Sequence, residues 1–283
     1  MPDGNDSNQS RGADDAPTLV SVAILAFILA DVAHEGFGHG LGFYLAGGQS
    51  SMLTTTRLIE WVKLGDPQWR IFDLGGPAGN VFFAGLAWIG QRWVRGRAPR
   101  LQLFLWLVMT FSLFWAFGYL IFCGVLGRGD WIALVEGTKY VWPGRLVFVV
   151  MGIALYRASI SLAAREMRWI VPAHGTNVKS RLTRLVRICY ISGGLIACAG
   201  AVLDPRGPME ILNSGALSSL GAAVGLLYVT NSFLRLPEKY SPADTFIPRD
   251  WPWIVAAAAG TIYYIAILGP GILLWFGNRA GTL

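Results

Sequence analysis

Two of the chain's three histidines, His34 and His39, stand five residues apart in the stretch Asp31-Val32-Ala33-His34-Glu35-Gly36-Phe37-Gly38-His39-Gly40. Glu35 follows the first of them, and the surrounding run from Leu19 to Ala46 is otherwise largely apolar. Ionised groups at membrane depth cost roughly 2.5–3.5 kcal/mol each, so three costly side chains at close spacing need one shared role. Metal binding supplies it. Neutral imidazole nitrogens are ligands for zinc, and a carboxylate beside them can act as a base on water activated by the ion.

The usual zinc helix carries His-Glu-x-x-His, with histidines at i and i+4 on one helical face. Here there is one residue more. On a regular α-helix i and i+5 stand roughly 140° apart, so the spacing predicts a π-type widening between His34 and His39. Gly36 and Gly38 lower the cost of bending the backbone there. The spelling His-Glu-x-x-Gly-His resembles the zinc helix of the dipeptidyl-peptidase III family, whereas the apolar setting resembles the site-2 protease class of intramembrane zinc peptidases.

The elements that would position these residues are membrane spans. Of 283 residues, 54% are hydrophobic and 14% charged, with a mean hydropathy of +0.48. That balance reads as an all-α polytopic membrane protein. On the template of ~20 apolar residues per span, seven spans are expected, at about 18–46, 71–94, 101–126, 144–163, 185–204, 211–231 and 252–276. The net charge of +6 comes from cations clustered between spans, such as Arg92, Arg95, Arg97 and Arg100. This is a topological pattern rather than a nucleic-acid footprint, and it places the N-terminus in the cytoplasm of a multi-pass cell-membrane protein. Cys123, Cys189 and Cys198 fall within apolar spans and read as small buried hydrophobes. Residues 1–17 are expected to be a disordered tail ahead of a single transmembrane domain over 18–283. A metallopeptidase-like core would occupy about 18–135 and accessory helices about 144–276. Between the first two spans, Thr54-Thr55-Thr56 and Leu58-Ile59-Glu60-Trp61 suggest a short interfacial β-hairpin, or alternatively an amphipathic connector.

The second span opens with Gly75-Gly76-Pro77-Ala78-Gly79-Asn80, a mouth of small residues that permits close helix approach. Gly76-Pro77-Ala78-Gly79-Asn80 resembles the Gly-Pro-x-x-Asn signature that follows the zinc helix in site-2 proteases. The resemblance implies that Asn80 helps hold substrate or the transition state. It also implies a third ligand from an Asp in Leu-Asp-Gly or Asn-Pro-Asp-Gly, and neither spelling occurs. Asp130, in Gly127-Arg128-Gly129-Asp130-Trp131 after the third span, is the nearest equivalent. At 1.5 Å per residue the first span carries His34 and His39 toward the far face of a ~30 Å core, where the second span begins and the third ends. His174 lies one further crossing away, on the Arg-rich side.

The expected function is therefore zinc-dependent hydrolysis of a peptide bond within or beside the bilayer, in a membrane-embedded or membrane-adjacent protein substrate. Zinc held by His34, His39 and Asp130 would lower the pKa of water toward ~7, with Glu35 as the base. Asp31, one turn before His34, is expected to accept the second ring N–H of that histidine. Two rival readings use the same residues. One is a non-catalytic metal-binding membrane protein or transporter, and the other is a zinc-dependent lipid hydrolase.

Overall fold

The computed structural model describes residues 13–61, 64–171, 177–237 and 246–276. Asp15 caps the first helix, α1 (Ala16–Leu45), by accepting the Thr18 amide at 3.0 Å, and Pro17 fits the first turn, where its missing N–H is not needed. The helix begins slightly earlier than the expected residue 18. Asp14 just before it is buried and ion-paired to Arg181 at 2.8 Å, so residues 13–17 do not belong to a disordered tail, and residues 1–12 lie outside the described ones.

Six further helices follow, α2 (Asp66–Val94), α3 (Pro99–Leu126), α4 (Val141–Met167), α5 (Val178–Leu203), α6 (Ile211–Leu234) and α7 (Trp251–Leu268). All but α2 are long and apolar enough to cross a membrane, which makes this an all-α polytopic membrane protein with six such helices among the described residues. The second expected span, 71–94, coincides with α2, but Pro77, Asn80, Gln91 and its glycines dilute its apolar character. α1 runs through the middle of the bundle. Leu19, Val22, Ala23, Ala26 and Ala30 are fully buried, and α3, α5 and α7 pack around it. Phe27 of α1 meets Phe111 and Trp115 of α3 edge-on, at centroid distances of 5.7 and 4.8 Å, the favoured arrangement of aromatic quadrupoles.

The connector after α1 is a hairpin of β1 (Ser50–Leu53) and β2 (Leu58–Glu60), paired antiparallel with Met52 opposite Ile59. A third strand, β3 (Ile272–Trp275), pairs on the other side of β1 in the order β2-β1-β3. This corrects the expected last span. Residues 252–276 are not one helix, because Gly269, Pro270 and Gly271, the last at φ +104°, end α7 and turn the chain back as a strand. The hairpin turn is fastened to the end of α5. Thr55 donates to the Gly200 carbonyl at 2.9 Å, the Thr56 hydroxyl donates to Asp204, and Arg206 reaches both Thr56 and Asp204.

The crossing of α1 and α2 is made of backbone. A methyl group at Gly38 would lie 2.5 Å from the Gly75 carbonyl oxygen, one at Gly42 would lie 2.7 Å from that of Ile71, and one at Gly79 would lie 2.5 Å from that of Ala33. Small residues bring two helices this close in a membrane, where van der Waals packing rather than hydrophobicity holds them. Gly38→Ala is therefore expected to lower the thermal midpoint of the purified protein in detergent by an overpacking cost of about 1–3 kcal/mol. Gly85→Ala in α2, where a methyl meets nothing within 4 Å, should be neutral or slightly stabilising. Equal midpoints for the two variants would refute the tight crossing.

Asp204 gives a pH-dependent check on the hairpin anchor. Burial works to raise its pKa, but the hydrogen bonds from Thr56 and Arg206 and the charge of Arg206 outweigh it and hold the carboxyl below its ordinary value. A depressed folded pKa means that the contribution is complete above the unfolded value of ~4 and is lost as pH falls through the folded one. Unfolding midpoints should therefore drop below pH ~4 more steeply for the wild type than for Asp204→Asn.

Candidate metal centre

Within α1, Ala33–His39 is π-helical, as the five-residue spacing requires. With hydrogen bonds closing one residue later than in an α-helix, five residues make roughly one turn, and His34 and His39 come to the same side. Their rings stand nearly perpendicular, with centroids 4.9 Å apart. The additional residue in the turn leaves Phe37 on the outside, 42% exposed and stacked on Phe82 at 5.7 Å. His39 Nδ1 lies 2.9 Å from the Phe72 carbonyl oxygen of α2, and with the proton assigned to that nitrogen it donates there and leaves Nε2 as a lone-pair donor.

Asp130 meets both rings. Its Oδ2 lies 3.1 Å from His34 Nε2 and 3.4 Å from His39 Nε2. Two glycines at positive φ, Gly127 at 67° and Gly129 at 101°, turn the chain out of α3 into a short 3₁₀ helix, Asp130–Leu134. Trp131 fastens that helix through its indole N–H to the Ala116 carbonyl at 3.0 Å. Burial works to raise the Asp130 pKa, but the charge of His39 and the hydrogen bonds of both imidazoles outweigh it and hold the carboxyl well below the ordinary range. Asp130 Oδ2 has no further hydrogen-bond partner. A carboxylate oxygen and two imidazole nitrogens, all lone-pair donors in the metal-binding tautomers, face one another at distances that need a cation or protons between them.

Glu35 stands next to these donors. One donor atom each from His34, Glu35 and His39 lies within 4.8 Å of the others, a grouping able to hold a metal ion. Glu35 Oε2 accepts the Leu58 amide of β2 at 3.1 Å, so the hairpin fixes the carboxylate's direction. From α2, Gly76 closes the back of the site. A methyl there would fall 2.4 Å from His39 Nε2 and 2.7 Å from His34 Nε2, so the space in front of the ring nitrogens is kept by the absence of a side chain.

The site opens into a cavity of about 430 Å³. All three π-helical stretches among the described residues reach it: Ala33–His39, Ile211–Leu220 through Ser214 and Ser218, and Tyr264–Leu268 through Tyr264. Such widened turns often mark functional sites. Asp73 and Tyr119 also line it. The accessory half, expected only to pack, thus supplies one wall. A single Tyr or Ser in an apolar span has no partner at a telling spacing, so nothing in the sequence singled these residues out.

Two expected roles fall elsewhere. Asp31 does not turn to His34, because its Oδ2 accepts the Tyr264 hydroxyl at 2.9 Å, and the widened turn rotates His34 away from it. His34 Nδ1 is buried without a hydrogen-bond partner. Asn80 is fully buried against α3, donating to the Ser112 carbonyl at 3.5 Å, and is not among the residues lining the cavity. His174 lies outside the described residues. Compared with protein-family models, curated proteins and solved structures, the chain matches none of them.

If the cleft before Gly76 is the ion's seat, Gly76→Ala should cost metal occupancy as severely as Asp130→Ala, although it removes no ligand. Inductively coupled plasma mass spectrometry on the purified variants measures this. Wild-type occupancy in Gly76→Ala would place the ion elsewhere.

Proposed function

We propose that the protein is a membrane-embedded zinc peptidase that hydrolyses a peptide bond of a membrane-embedded or membrane-adjacent protein, in the manner of the site-2 proteases its motifs resemble. The observation that carries the reading is the approach of Asp130 Oδ2 to both His34 Nε2 and His39 Nε2, at 3.1 and 3.4 Å. A tetrahedral ion with ligand bonds of ~2.0–2.1 Å separates its ligands by about 3.3–3.4 Å, and two nitrogens with one carboxylate form an ordinary catalytic zinc set that leaves one position open. When bound, zinc would polarise the scissile carbonyl and ease deprotonation of water.

The chain's own residues supply the rest. Glu35 takes the proton of the attacking water and later delivers it to the leaving amine nitrogen. The Leu58 amide holds one carboxylate oxygen and leaves the other to carry that proton. β2 is one of the two outer strands of the sheet and lies against Glu35, so an extended substrate segment added along it would present its backbone to the base. The ionisable groups Asp31, His34, Glu35, His39, Asp73 and Asp130 gather around one cavity rather than in a file through the bundle, which favours chemistry over permeation. We place the protein in the cell membrane with its N-terminus in the cytoplasm, on the distribution of its cations.

Replacing Glu35 by Gln removes basicity and keeps size. The variant is expected to retain about one zinc per chain while hydrolysis of reconstituted peptide falls by about 10²–10⁴-fold. Zinc loss equal to that of His34→Ala would make Glu35 a ligand instead. Cleavage of lipid ester rather than peptide by the wild type would transfer the same chemistry to another substrate.

A further inference from the structure

Attack of water on a planar amide moves the carbonyl π pair onto oxygen, and that charge needs a donor aimed at it in a water-poor site. Asn80, the residue expected to serve there, is turned into the α2–α3 contact. Two phenols line the cavity, and their states differ. Tyr264 is committed, donating to Asp31 Oδ2 at 2.9 Å, with the Thr55 carbonyl at 3.5 Å. The Tyr119 hydroxyl has no hydrogen-bond partner among the described residues.

The place of Tyr119 is closely defined. Its ring stands edge-on to His34, with centroids 6.5 Å apart, and stacks on Phe122 at 5.3 Å and 19°, which fixes its plane. Its hydroxyl lies against Gly129, the residue before Asp130, where a methyl group would come within 2.6 Å of it. The phenol therefore stands between a histidine ligand and the loop that delivers the carboxylate ligand, facing the cavity, and a side chain at Gly129 would displace it. Arg57 and Arg128 also border the cavity, but both are exposed, and the Arg128 guanidinium lies over the Phe122 ring at 5.8 Å.

We infer that Tyr119 is a catalytic residue whose O–H donates a hydrogen bond to the carbonyl oxygen as it becomes an anion. This rests on the peptidase reading above. In the step, the water oxygen bonds to the carbonyl carbon, the water proton passes to Glu35, and the π pair moves to the oxygen facing Tyr119. The pair then returns, the C–N bond breaks, and the proton on Glu35 passes to the amine nitrogen. Tyr119 keeps its proton throughout.

The test uses the full chain, zinc-loaded, in phosphatidylcholine vesicles. The probe is an apolar peptide of about 20 residues, long enough to span, carrying a fluorophore and a quencher. Tyr119→Phe is expected to lower kcat about 100-fold, the effect of losing one side-chain donor to such an oxygen, with KM within about twofold and zinc content unchanged. Binding of two analogues provides a second readout. A phosphinic version of the probe, which carries the tetrahedral anion, should bind Tyr119→Phe at least tenfold more weakly than wild type, while a reduced-amide version lacking that oxygen should bind both equally. Wild-type kcat and phosphinate affinity in Tyr119→Phe would overturn the assignment of Tyr119 and leave the peptidase reading intact. Equal weakening of both analogues would reduce Tyr119 to a packing residue. A zinc-loaded wild type that neither cleaves the probe nor binds the phosphinate would overturn the peptidase reading, and this inference with it.

Discussion

The backbone contact between α1 and α2 is the constraint on which the rest of the site depends. With the Gly38 and Gly75 backbones in contact, α2 lies close enough for the Phe72 carbonyl to accept a hydrogen bond from His39 Nδ1 and for Gly76 to face the Nε2 atoms of both imidazoles. The same closeness excludes side chains from the region where the donor nitrogens point. Shape and tautomer are thus set by one packing decision. The hydrogen bond from His39 to the Phe72 carbonyl requires the interhelical distance that the glycines permit.

That constraint explains what the sequence disclosed and what it hid. The widened turn was legible because a five-residue spacing of two histidines has few geometric solutions, and the glycines between and opposite them made the solution affordable. The proximity of Asp130 followed from counting crossings, since helices of known rise deliver their ends to predictable faces. Partners chosen by side-chain rotation were not legible. Asp31 sits one turn from His34 in the sequence, yet a π-turn between them changes which way each points, and the acceptor went to Tyr264, 233 residues away. Asn80 has the right spelling in the wrong orientation for contact with the cavity. β3 was hidden because Ile272-Leu273-Leu274-Trp275 is apolar enough to extend a span, and only the Gly-Pro-Gly break before it signals otherwise.

Polar side chains in an apolar bundle carry the other half of the design. Asp14 with Arg181, Glu166 with Arg95 and Trp88, and Asp204 with Thr56 and Arg206 each join segments distant in the chain. They sit at or near helix ends, where water supports the charges that the interior would not. In the interior, Asp31, Glu35 and His39 line the cavity, whereas buried amides and hydroxyls such as Asn80, Gln91 and Thr110 lie between helices away from it. Its walls come from α1, α2, α3, α5, α6 and α7 together with the hairpin, so the histidine-bearing half does not enclose the site alone.

The pairing of β3 with β1 bears on how the protein is made. Ser50 finds its partner in Trp275, so the first strand leaves the ribosome long before the strand that completes the sheet. Until then one edge of β1 is open, a hazard that folded proteins otherwise cover. The sheet to which the Glu35-directing hairpin belongs is completed only after α7. A truncated or stalled chain would therefore hold its histidines and carboxylates without the finished sheet that aims them. The sheet that carries the Glu35-directing hairpin is in this way closed by the strand of the three that is translated last.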